Sequence, residues 1–502
     1  MQTTVSQPRR TIFSSILRGS GLYLAAIIAT RAASILLLPV TTRFLTTADY
    51  GVLDLIDQVN SVLSLVLGGG LGAAFSFFFF EKSDSESRRE VVGTTLTGAF
   101  LIGCLSGALG FVFAPQISLA VFGTNSYAFY LRLLFFSMPM NFLLETTLSW
   151  LRIEDRAATF LVFTLVRISI VSVGTVALLA WFHLGMLGVL STTVGSVIAL
   201  AVGMTAFCVR AARPRLNMPL FLQIMRYSLP LGFGGIALFV VHFGDRFILP
   251  HYRSLSELGI YGLGYKIAIL ISFLYSSFHT YWSARVFEIA RREDGGVIFT
   301  RTFTYVITCL SFSALALLVS CRPVLHILAT SAFQGAGAIM PLILLAYYVR
   351  AIGDYFRCFF LVAKRPVWDA SCNWIGSIVC LIGYFALIPR YGMWGAGSAT
   401  LISFCVISLI SVVGARRLYP VQIETGRVAK VLVALLLPTA GFYLLPRSSL
   451  VGQIALGTGL LLVFPAVLFL LRFPTEGEKE MPLLAYRRAK DWLARRELQT
   501  TE

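Results

Sequence analysis

Charged residues are scarce in this sequence, and their scarcity excludes a soluble globular protein. Only 13% of the 502 residues are charged, whereas 57% are hydrophobic and the mean hydropathy is +0.80. Soluble domains are nearer a quarter charged. The apolar residues form recurring runs of about 20, long enough to cross a bilayer as helices. The sequence therefore predicts an all-α polytopic membrane protein, since a β-barrel would show alternating segments of about ten residues.

The residues that most catalytic and metal sites require are few and unsuitably spaced. The five histidines show no HExxH spacing, and the eight cysteines include no CxxC pair. The sequence also contains no P-loop and no GxSxG motif. We therefore expect no enzyme activity, no metal and no cofactor. Without a nucleotide site, the chain is not expected to act alone as an ATP-driven pump.

Fourteen apolar runs are long enough to be transmembrane helices. Short polar breaks separate them, and the thirteenth run contains Pro438. The predicted spans are 16–38, 51–80, 91–113, 127–149, 159–181, 187–209, 224–249, 259–282, 302–321, 339–362, 368–388, 394–415, 428–445 and 450–471.

Basic residues are distributed unevenly between the two sides of the membrane. If the N-terminus is cytoplasmic, most Lys and Arg of the loops and tail lie on the cytoplasmic side. The outer loops then hold only Arg43, Arg253, Arg322, Arg390 and Arg447. This bias predicts that both termini are cytoplasmic, and it explains the net charge of +17 without a nucleic-acid partner.

The two halves of the chain repeat short motifs at a nearly constant spacing. "LGMLGVLSTT" at 184–193 returns as "YGMWGAGSAT" at 391–400, and an alignment with a small insertion pairs Gly51 with Gly259. The offset covers six helices, which predicts two six-helix lobes related by a pseudo-two-fold axis along the membrane normal. The predicted parts are an N-terminal lobe at 1–215, a C-terminal lobe at 216–418, two extra helices at 419–472 and a basic cytoplasmic tail at 473–502.

The second span carries a stripe of polar and small residues on one helical face. The stripe consists of Asp54, Asp57, Ser61, Ser64, Gly68 and Gly72, at steps of three or four. Carboxylates facing lipid would be costly, so the stripe is expected to face protein or water. Two interpretations stay open: a helix-packing face of small residues, or a site where the carboxylates act in ion coupling or gating.

The tenth span carries a second charged face. Tyr347, Arg350, Asp354 and Arg357 follow one another at steps of three and four. One carboxylate cannot neutralise two guanidiniums, so a net positive charge is expected there. That charge could belong to a structural ion network, or it could bind an anionic group, for which arginine is well suited.

Further ionisable residues fall inside other predicted spans. Arg18 and Arg246 lie near predicted helix ends, where a long side chain can reach the membrane surface. Lys266 stands at the repeat counterpart of Gln58. The candidate cations for an anionic substrate are Arg31, Arg132, Arg167, Lys266, Arg350 and Arg357. The candidate coupling or gating carboxylates are Asp54, Asp57, Glu145, Asp245 and Asp354.

Three stretches of the sequence are similar to motifs of a known family: "RGSGLYLAAIIATRAASILLLPV", "TTRFLTTADYGVLDLI", and "RYSLPLGFGG" followed by "DRFIL". They resemble the Wzx-type oligosaccharide flippases, the polysaccharide transport family of the multidrug/oligosaccharidyl-lipid/polysaccharide (MOP) superfamily. The resemblance covers essentially the whole chain through loose motifs. It implies a carrier of the bacterial inner membrane that flips polyprenyl-diphosphate-linked oligosaccharide by alternating access around a cationic lumen.

The same resemblance implies a role in O-antigen, capsule or exopolysaccharide synthesis, with membrane lipid, a polysaccharide polymerase and a chain-length regulator as partners. A proton or sodium gradient would drive the cycle through the carboxylates. A lipid II flippase of the superfamily is an alternative that the sequence leaves open. A cation-coupled multidrug exporter is another, although it would favour an acidic cavity. A membrane glycosyltransferase is disfavoured because the predicted outer loops are short.

Overall fold

The computed structural model describes residues 9–212, 215–419, 422–445 and 449–474, with side chains described except at 9–20, 205–212 and 284. Every regular element in these ranges is helical. The predicted basic tail, from residue 475 onward, lies outside the described residues, as does Arg447. The side chain of Arg18 is also outside them.

Eighteen α-helices make up the described chain, joined by short turns. Their bounds are α1 Arg9–Leu36, α2 Leu38–Phe44, α3 Thr47–Gly68, α4 Leu71–Glu81, α5 Ser85–Phe122, α6 Ala128–Ile153, α7 Ala157–Ala180, α8 Gly185–Ala212, α9 Met218–Phe243, α10 Asp245–Tyr252, α11 Leu255–Ala268, α12 Leu270–Ile289, α13 Gly295–Leu328, α14 Ala336–Val362, α15 Pro366–Tyr391, α16 Met393–Leu418, α17 Thr425–Leu444 and α18 Leu450–Leu470.

Fourteen segments of these helices are long and apolar enough to cross a membrane. They correspond one to one with the fourteen predicted spans, so the prediction of an all-helical polytopic membrane protein is confirmed. Large hydrophobic side chains are exposed along the helices, among them Phe80, Phe136 and Leu444. Such a surface suits lipid, in which the backbone polar groups must be satisfied within the helices.

The second span is broken in its middle, so that α3 and α4 are separate helices. Gly70 has φ of +85°, a left-handed conformation that favours glycine. The Gly69 carbonyl, at the break, accepts a hydrogen bond from the Ser228 hydroxyl of α9 at 3.0 Å. The break places Gly72 on α4, so the stripe predicted on one continuous helix spans two helices, and Ser64, Gly68 and Gly72 line one cavity together.

The predicted seventh span, 224–249, is wrong at its end. The long helix α9 stops at Phe243, and the short helix α10 starts at Asp245. The apolar residues "FIL" within "DRFIL" continue the hydrophobic run past Gly244. Hydropathy therefore gives no sign of the break there. The break moves Asp245 and Arg246 from the end of a long helix into the first turn of a new one.

The start of α3 is fixed by a reciprocal cap. The Thr46 hydroxyl accepts from the Asp49 backbone N–H at 3.1 Å, and the Asp49 carboxylate accepts from the Thr46 N–H at 3.0 Å. This capping box satisfies two backbone donors that the helix itself cannot pair. It also sets the register in which Gly51 and Asp54 follow within the first two turns.

The described helices form two compact units. Unit 1 contains residues 1–266, 325–343 and 370–407, and unit 2 contains 267–324, 344–369 and 408–502. In unit 1, Leu144, Leu151, Val197 and Met204 belong to a hydrophobic cluster of α6 and α8. The division into repeat lobes at 215 and 418 stays a prediction.

Unit 2 has a core rich in aromatic rings. The rings of Trp282 and Tyr355 stack with centroids 5.4 Å apart, and Phe299 meets Phe359 edge to face at 4.9 Å. Both geometries suit the quadrupole of an aromatic ring. This core packs α12 and α13 against α14, which carries the charged face predicted in the tenth span.

Within unit 1, helices α3 and α11 cross at two glycines. A Cβ on Gly51 would collide with the Leu255 carbonyl oxygen, and a Cβ on Gly259 would collide with the Thr47 carbonyl oxygen. The contact is reciprocal, because Gly51 and Gly259 are 208 residues apart and so are their contact partners Thr47 and Leu255. The close crossing therefore joins two positions that the sequence alignment had paired.

Candidate functional site

The first charged site, which we name the Arg246 cluster, consists of Asp54, Asp245, Arg246, Tyr261 and Tyr265 in unit 1. Arg246 Nε donates to Asp54 Oδ2 at 2.5 Å, and Arg246 Nη1 lies 3.7 Å from Asp245 Oδ1. The side chain of Asp245 is 0% exposed and that of Arg246 only 3%. A charge this deeply buried is tolerated only when it is paired and hydrogen-bonded.

Two tyrosines of α11 complete the Arg246 cluster. The Tyr261 hydroxyl donates to Asp245 Oδ2. The guanidinium carbon of Arg246 lies 4.3 Å from the centre of the Tyr265 ring, a cation–π distance. The Tyr265 hydroxyl and Arg246 Nη1 both donate to the His242 carbonyl oxygen, at 2.7 and 3.3 Å. The cluster thus ties α3, α9, α10 and α11 together.

The prediction that Arg246 extends to the membrane surface is wrong. Its guanidinium is enclosed by two carboxylates and aromatic rings, because the break at Gly244 directs the first turn of α10 inward. Asp54 and Asp245, both predicted as candidate sites, are brought together around it. The partner that the sequence did not identify is therefore the arginine between them.

Asp57 and Lys266 lie beside this cluster. The Asp57 side chain is exposed, and the Lys266 ammonium and the Asp54 carboxylate are close enough to interact with it electrostatically. Lys266 is half-buried, and its Nζ lies 6.0 Å from the centre of the Tyr50 ring. An acidic group and a basic group thus lie next to a buried ion pair.

Replacing Tyr261 with phenylalanine is expected to lower the free energy of unfolding by about 1–3 kcal/mol, because the buried Asp245 carboxylate loses a hydrogen-bond donor. Tyr265→Phe is the matched control and should cost less, because the His242 carbonyl keeps its hydrogen bond from Arg246. Thermal unfolding of both variants in detergent measures the difference. Equal losses would contradict a special role for the Tyr261 hydroxyl.

The second charged site, which we name the Arg357 cluster, lies in unit 2 and consists of Arg350, Asp354, Arg357 and Asp369. Arg350 and Arg357 both donate to Asp354, each at 3.2 Å, and Arg357 Nε donates to Asp369 Oδ1 at 2.7 Å. The two arginine side chains are 14% and 12% exposed. The cluster joins α14 to the first turn of α15.

The net positive charge predicted for this face is wrong. The prediction counted two arginines and one carboxylate, Asp354. In the structure Asp369 also pairs with Arg357, so two guanidiniums meet two carboxylates. Asp369 was not predicted as a member of this face, because it lies on the next helix and its position does not follow the helical spacing of α14. The other predicted member of this face, Tyr347, is buried.

The remaining candidate residues are dispersed on the N-terminal helices of unit 1. Glu145 on α6 pairs with Arg167 on α7, with Oε1 and Nη1 3.3 Å apart and both side chains substantially exposed. Arg132 on α6 is exposed, and its guanidinium carbon lies 5.5 Å from the centre of the Phe111 ring. Arg31 on α1 is exposed. Of these four residues, the structure pairs Glu145 with Arg167.

Comparisons with solved structures identify the fold. "Lipid II flippase MurJ, inward closed conformation" has a TM-score of 0.72 at 14% identity, covering 90% of this chain and 99% of that one. An inward-facing multidrug resistance MATE family transporter of the MOP superfamily has a TM-score of 0.64 at 13% identity, covering 77% and 94%. At these identities the likeness establishes the arrangement of helices.

Comparisons of sequence identify the family. "Probable multidrug resistance protein YoeA" from Bacillus subtilis (strain 168) is 25% identical over 228 residues, or 41% of this chain and 49% of the relative. The chain thus spans about half the length of that curated relative. The family described as "Polysaccharide biosynthesis protein" matches residues 16–282, more than half of the 502 residues. The chain belongs to this polysaccharide biosynthesis family and has the fold of the MOP superfamily.

Proposed function

We propose that this protein flips polyprenyl-diphosphate-linked oligosaccharide from the cytoplasmic to the outer leaflet of the bacterial inner membrane by alternating access. The observation that carries the proposal is the family match, together with a fold shared with a lipid II flippase and a MATE transporter. In this proposal the protein is a transporter and not an enzyme, both termini are cytoplasmic, and O-antigen, capsule or exopolysaccharide synthesis uses the product.

The charged sites suit an anionic head group that binds and is then released. In each unit, cations that could meet a diphosphate already interact with carboxylates: Lys266 electrostatically with Asp57, and Arg350 and Arg357 through ion pairs with Asp354. Such pairing stabilises the cations in the membrane when no substrate is bound. At either site, a diphosphate would replace the carboxylates as the partner of the cations, and arginine in particular binds such a group well.

Displaced carboxylates offer a route for coupling. Once Asp57 or Asp354 loses its cation, it can take up a proton or a sodium ion and stay neutral at membrane depth. The proposal therefore links substrate entry to ion binding at Asp57 and Asp354. A polysaccharide polymerase and a chain-length regulator would act on the flipped product.

The test is lipid analysis of cells that lack this protein. Undecaprenyl-diphosphate-linked oligosaccharide is expected to accumulate on the cytoplasmic side, and the wild-type chain should reverse the accumulation. Lys266→Gln should restore transport poorly, whereas Lys266→Arg keeps the charge and should restore more of it. Lys364→Gln, at an exposed position between α14 and α15, is the control and should restore transport fully.

Two outcomes would replace the proposal. Accumulation of lipid II with loss of cell-wall synthesis would identify a lipid II flippase. A normal lipid profile with new sensitivity to cationic drugs would identify an exporter. Equal transport by Lys266→Gln and the wild type, measured at matched protein abundance, would exclude Lys266 from the substrate path.

A further inference from the structure

Unit 1 contains a cavity of about 370 Å³ between α1, α6, α7 and α8. Its walls are largely apolar, with Leu144, Phe163 and Val171 among the lining residues, and Thr30 and Thr164 also line it. The volume falls in the range of small-molecule sites, roughly 300–1,000 Å³. We name it the Arg167 cavity, because Arg167 is the one charged side chain among the described residues that line it.

Arg167 is held loosely for an arginine inside a transmembrane helix. Its hydrogen bond to Glu145 is 3.3 Å long, and the two side chains are 35% and 56% exposed. A guanidinium has five N–H donors, and the 3.3 Å bond to Glu145 uses one of them. The guanidinium can therefore bind another anion in exchange for Glu145 without becoming an unpaired charge in the membrane.

The Glu145 side chain also borders a second cavity. It lines a separate cavity of about 140 Å³ together with Ser64, Asn141, Ser149 and Arg152. That cavity has room for several waters, which its hydroxyl, amide and guanidinium groups can hydrogen-bond. The Glu145–Arg167 pair thus lies between two cavities, and a carboxylate that leaves Arg167 can be solvated in the smaller one.

The depth of Arg167 decides what kind of anion fits. It stands ten residues after the start of α7 at Ala157, or about 15 Å along the helix at 1.5 Å per residue. This is near the middle of a hydrocarbon core that is about 30 Å thick. The head group of a resident bilayer lipid lies at the interface, so it would not reach Arg167.

We propose that the Arg167 cavity binds a small amphiphilic organic anion, an apolar body bearing one sulfonate, carboxylate or phosphate group. The apolar walls of the cavity contact the apolar body of the ligand, and Arg167 binds its anionic group in exchange for Glu145. This site is additional to the proposed flipping of lipid-linked oligosaccharide and does not depend on it.

Calorimetric titration of the full-length protein in lipid nanodiscs tests this inference, with the heat from empty nanodiscs subtracted. The probe is naphthalene-2-sulfonate, and neutral naphthalene-2-sulfonamide has the same body without the charge. The wild type should bind the sulfonate at least about tenfold more tightly than the sulfonamide, as a charge-assisted hydrogen bond predicts. Arg167→Gln should remove this preference, whereas Arg167→Lys should retain part of it.

Glu145→Gln gives the opposite result to Arg167→Gln. It removes the competitor for the guanidinium, so the affinity for the sulfonate should rise several-fold while that for the sulfonamide stays constant. Arg132→Gln, on α6 but absent from the cavity lining, is the control and should bind like the wild type.

Equal binding of both probes by the wild type would overturn the inference, as would weaker sulfonate binding by Glu145→Gln. Thermal unfolding of each variant identifies any that fails to fold. Because the readout is binding of a small probe, its failure leaves the lipid analysis of the proposed flippase unaffected, and a failed flippase test leaves this binding unaffected.

Discussion

Replacing Arg246 with leucine is expected to lower the free energy of unfolding by about 3–5 kcal/mol, the range observed when one partner of a buried ion pair is removed. The Asp245 side chain is 0% exposed and would lose its counter-charge, and Asp54 would lose its hydrogen bond of 2.5 Å. The uncompensated carboxylates cause most of the loss, because leucine itself suits an apolar site. Denaturation in detergent measures the change.

A second substitution distinguishes the cost of losing the ion pair from the cost of leaving a buried carboxylate without a counter-charge. Asp245→Asn added to Arg246→Leu leaves a neutral amide where the buried carboxylate was, and it should recover a substantial part of the lost stability. Asp245→Asn alone keeps the stronger contact of Arg246 with Asp54 and should cost less than Arg246→Leu. The order of the three variants therefore tests whether burial of unpaired charge is the cause.

The exposed pair of Arg285 and Glu288 is the control. Their side chains lie 2.7 Å apart, as in a strong pair, but are 49% and 62% exposed. Arg285→Leu should leave stability unchanged, since water solvates the remaining carboxylate. If Arg246→Leu and Arg285→Leu lowered the free energy of unfolding equally, the buried Arg246 cluster would stabilise the protein no more than an exposed ion pair does.

Hydrophobic patterning predicted the number and approximate position of the helices, because each crossing needs about 20 apolar residues regardless of tertiary contacts. It predicted breaks within spans poorly. Gly69 and Gly70 stand in a run that is apolar on both sides, and the break at Gly244 is masked by the apolar residues that follow. A break depends on backbone conformation and on neighbouring helices, which hydropathy does not register.

Several residues of the two charged clusters were among the sequence candidates, but the charge balance of the clusters was not predicted. Helical spacing correctly placed Arg350, Asp354 and Arg357 on one face, because neighbours at three and four residues depend on the helix alone. Asp369 and Arg246 supply the missing charges from other helices. The charge of a cluster is a tertiary property, so spacing along one helix cannot determine it. The function was predicted from the resemblance to a family and not from these residues.

The crossing of α3 and α11 yields the second large prediction. Alanine at Gly51 or at Gly259 should destabilise the protein by about 3 kcal/mol, the upper end of the usual cost of overpacking. The atoms that the new Cβ would meet are backbone carbonyl oxygens, of Leu255 and Thr47 respectively. A change of rotamer cannot move a carbonyl, so the two helices must separate.

The reciprocal geometry makes the double variant informative. Once one alanine has pushed the helices apart, the second meets a gap already opened, so the combined loss of Gly51→Ala and Gly259→Ala should be smaller than the sum of the single losses. Residues in contact are non-additive in this way. Gly195→Ala and Gly203→Ala are the controls, because neither new Cβ would meet another atom within 4 Å. Alanine is the better helix former by about 1 kcal/mol, so the controls should be neutral or stabilised.

Loss of the close crossing should also disturb the Arg246 cluster. Gly51 lies one turn before Asp54 on α3, and Gly259 lies two residues before Tyr261 on α11. Separating the helices therefore draws Asp54 away from α11 while Asp245 keeps its bond from Tyr261. If Gly51→Ala were instead as stable as Gly195→Ala, the two backbones could not approach as closely as the reciprocal contact requires. The Arg246 cluster would then have to form without this constraint on Asp54.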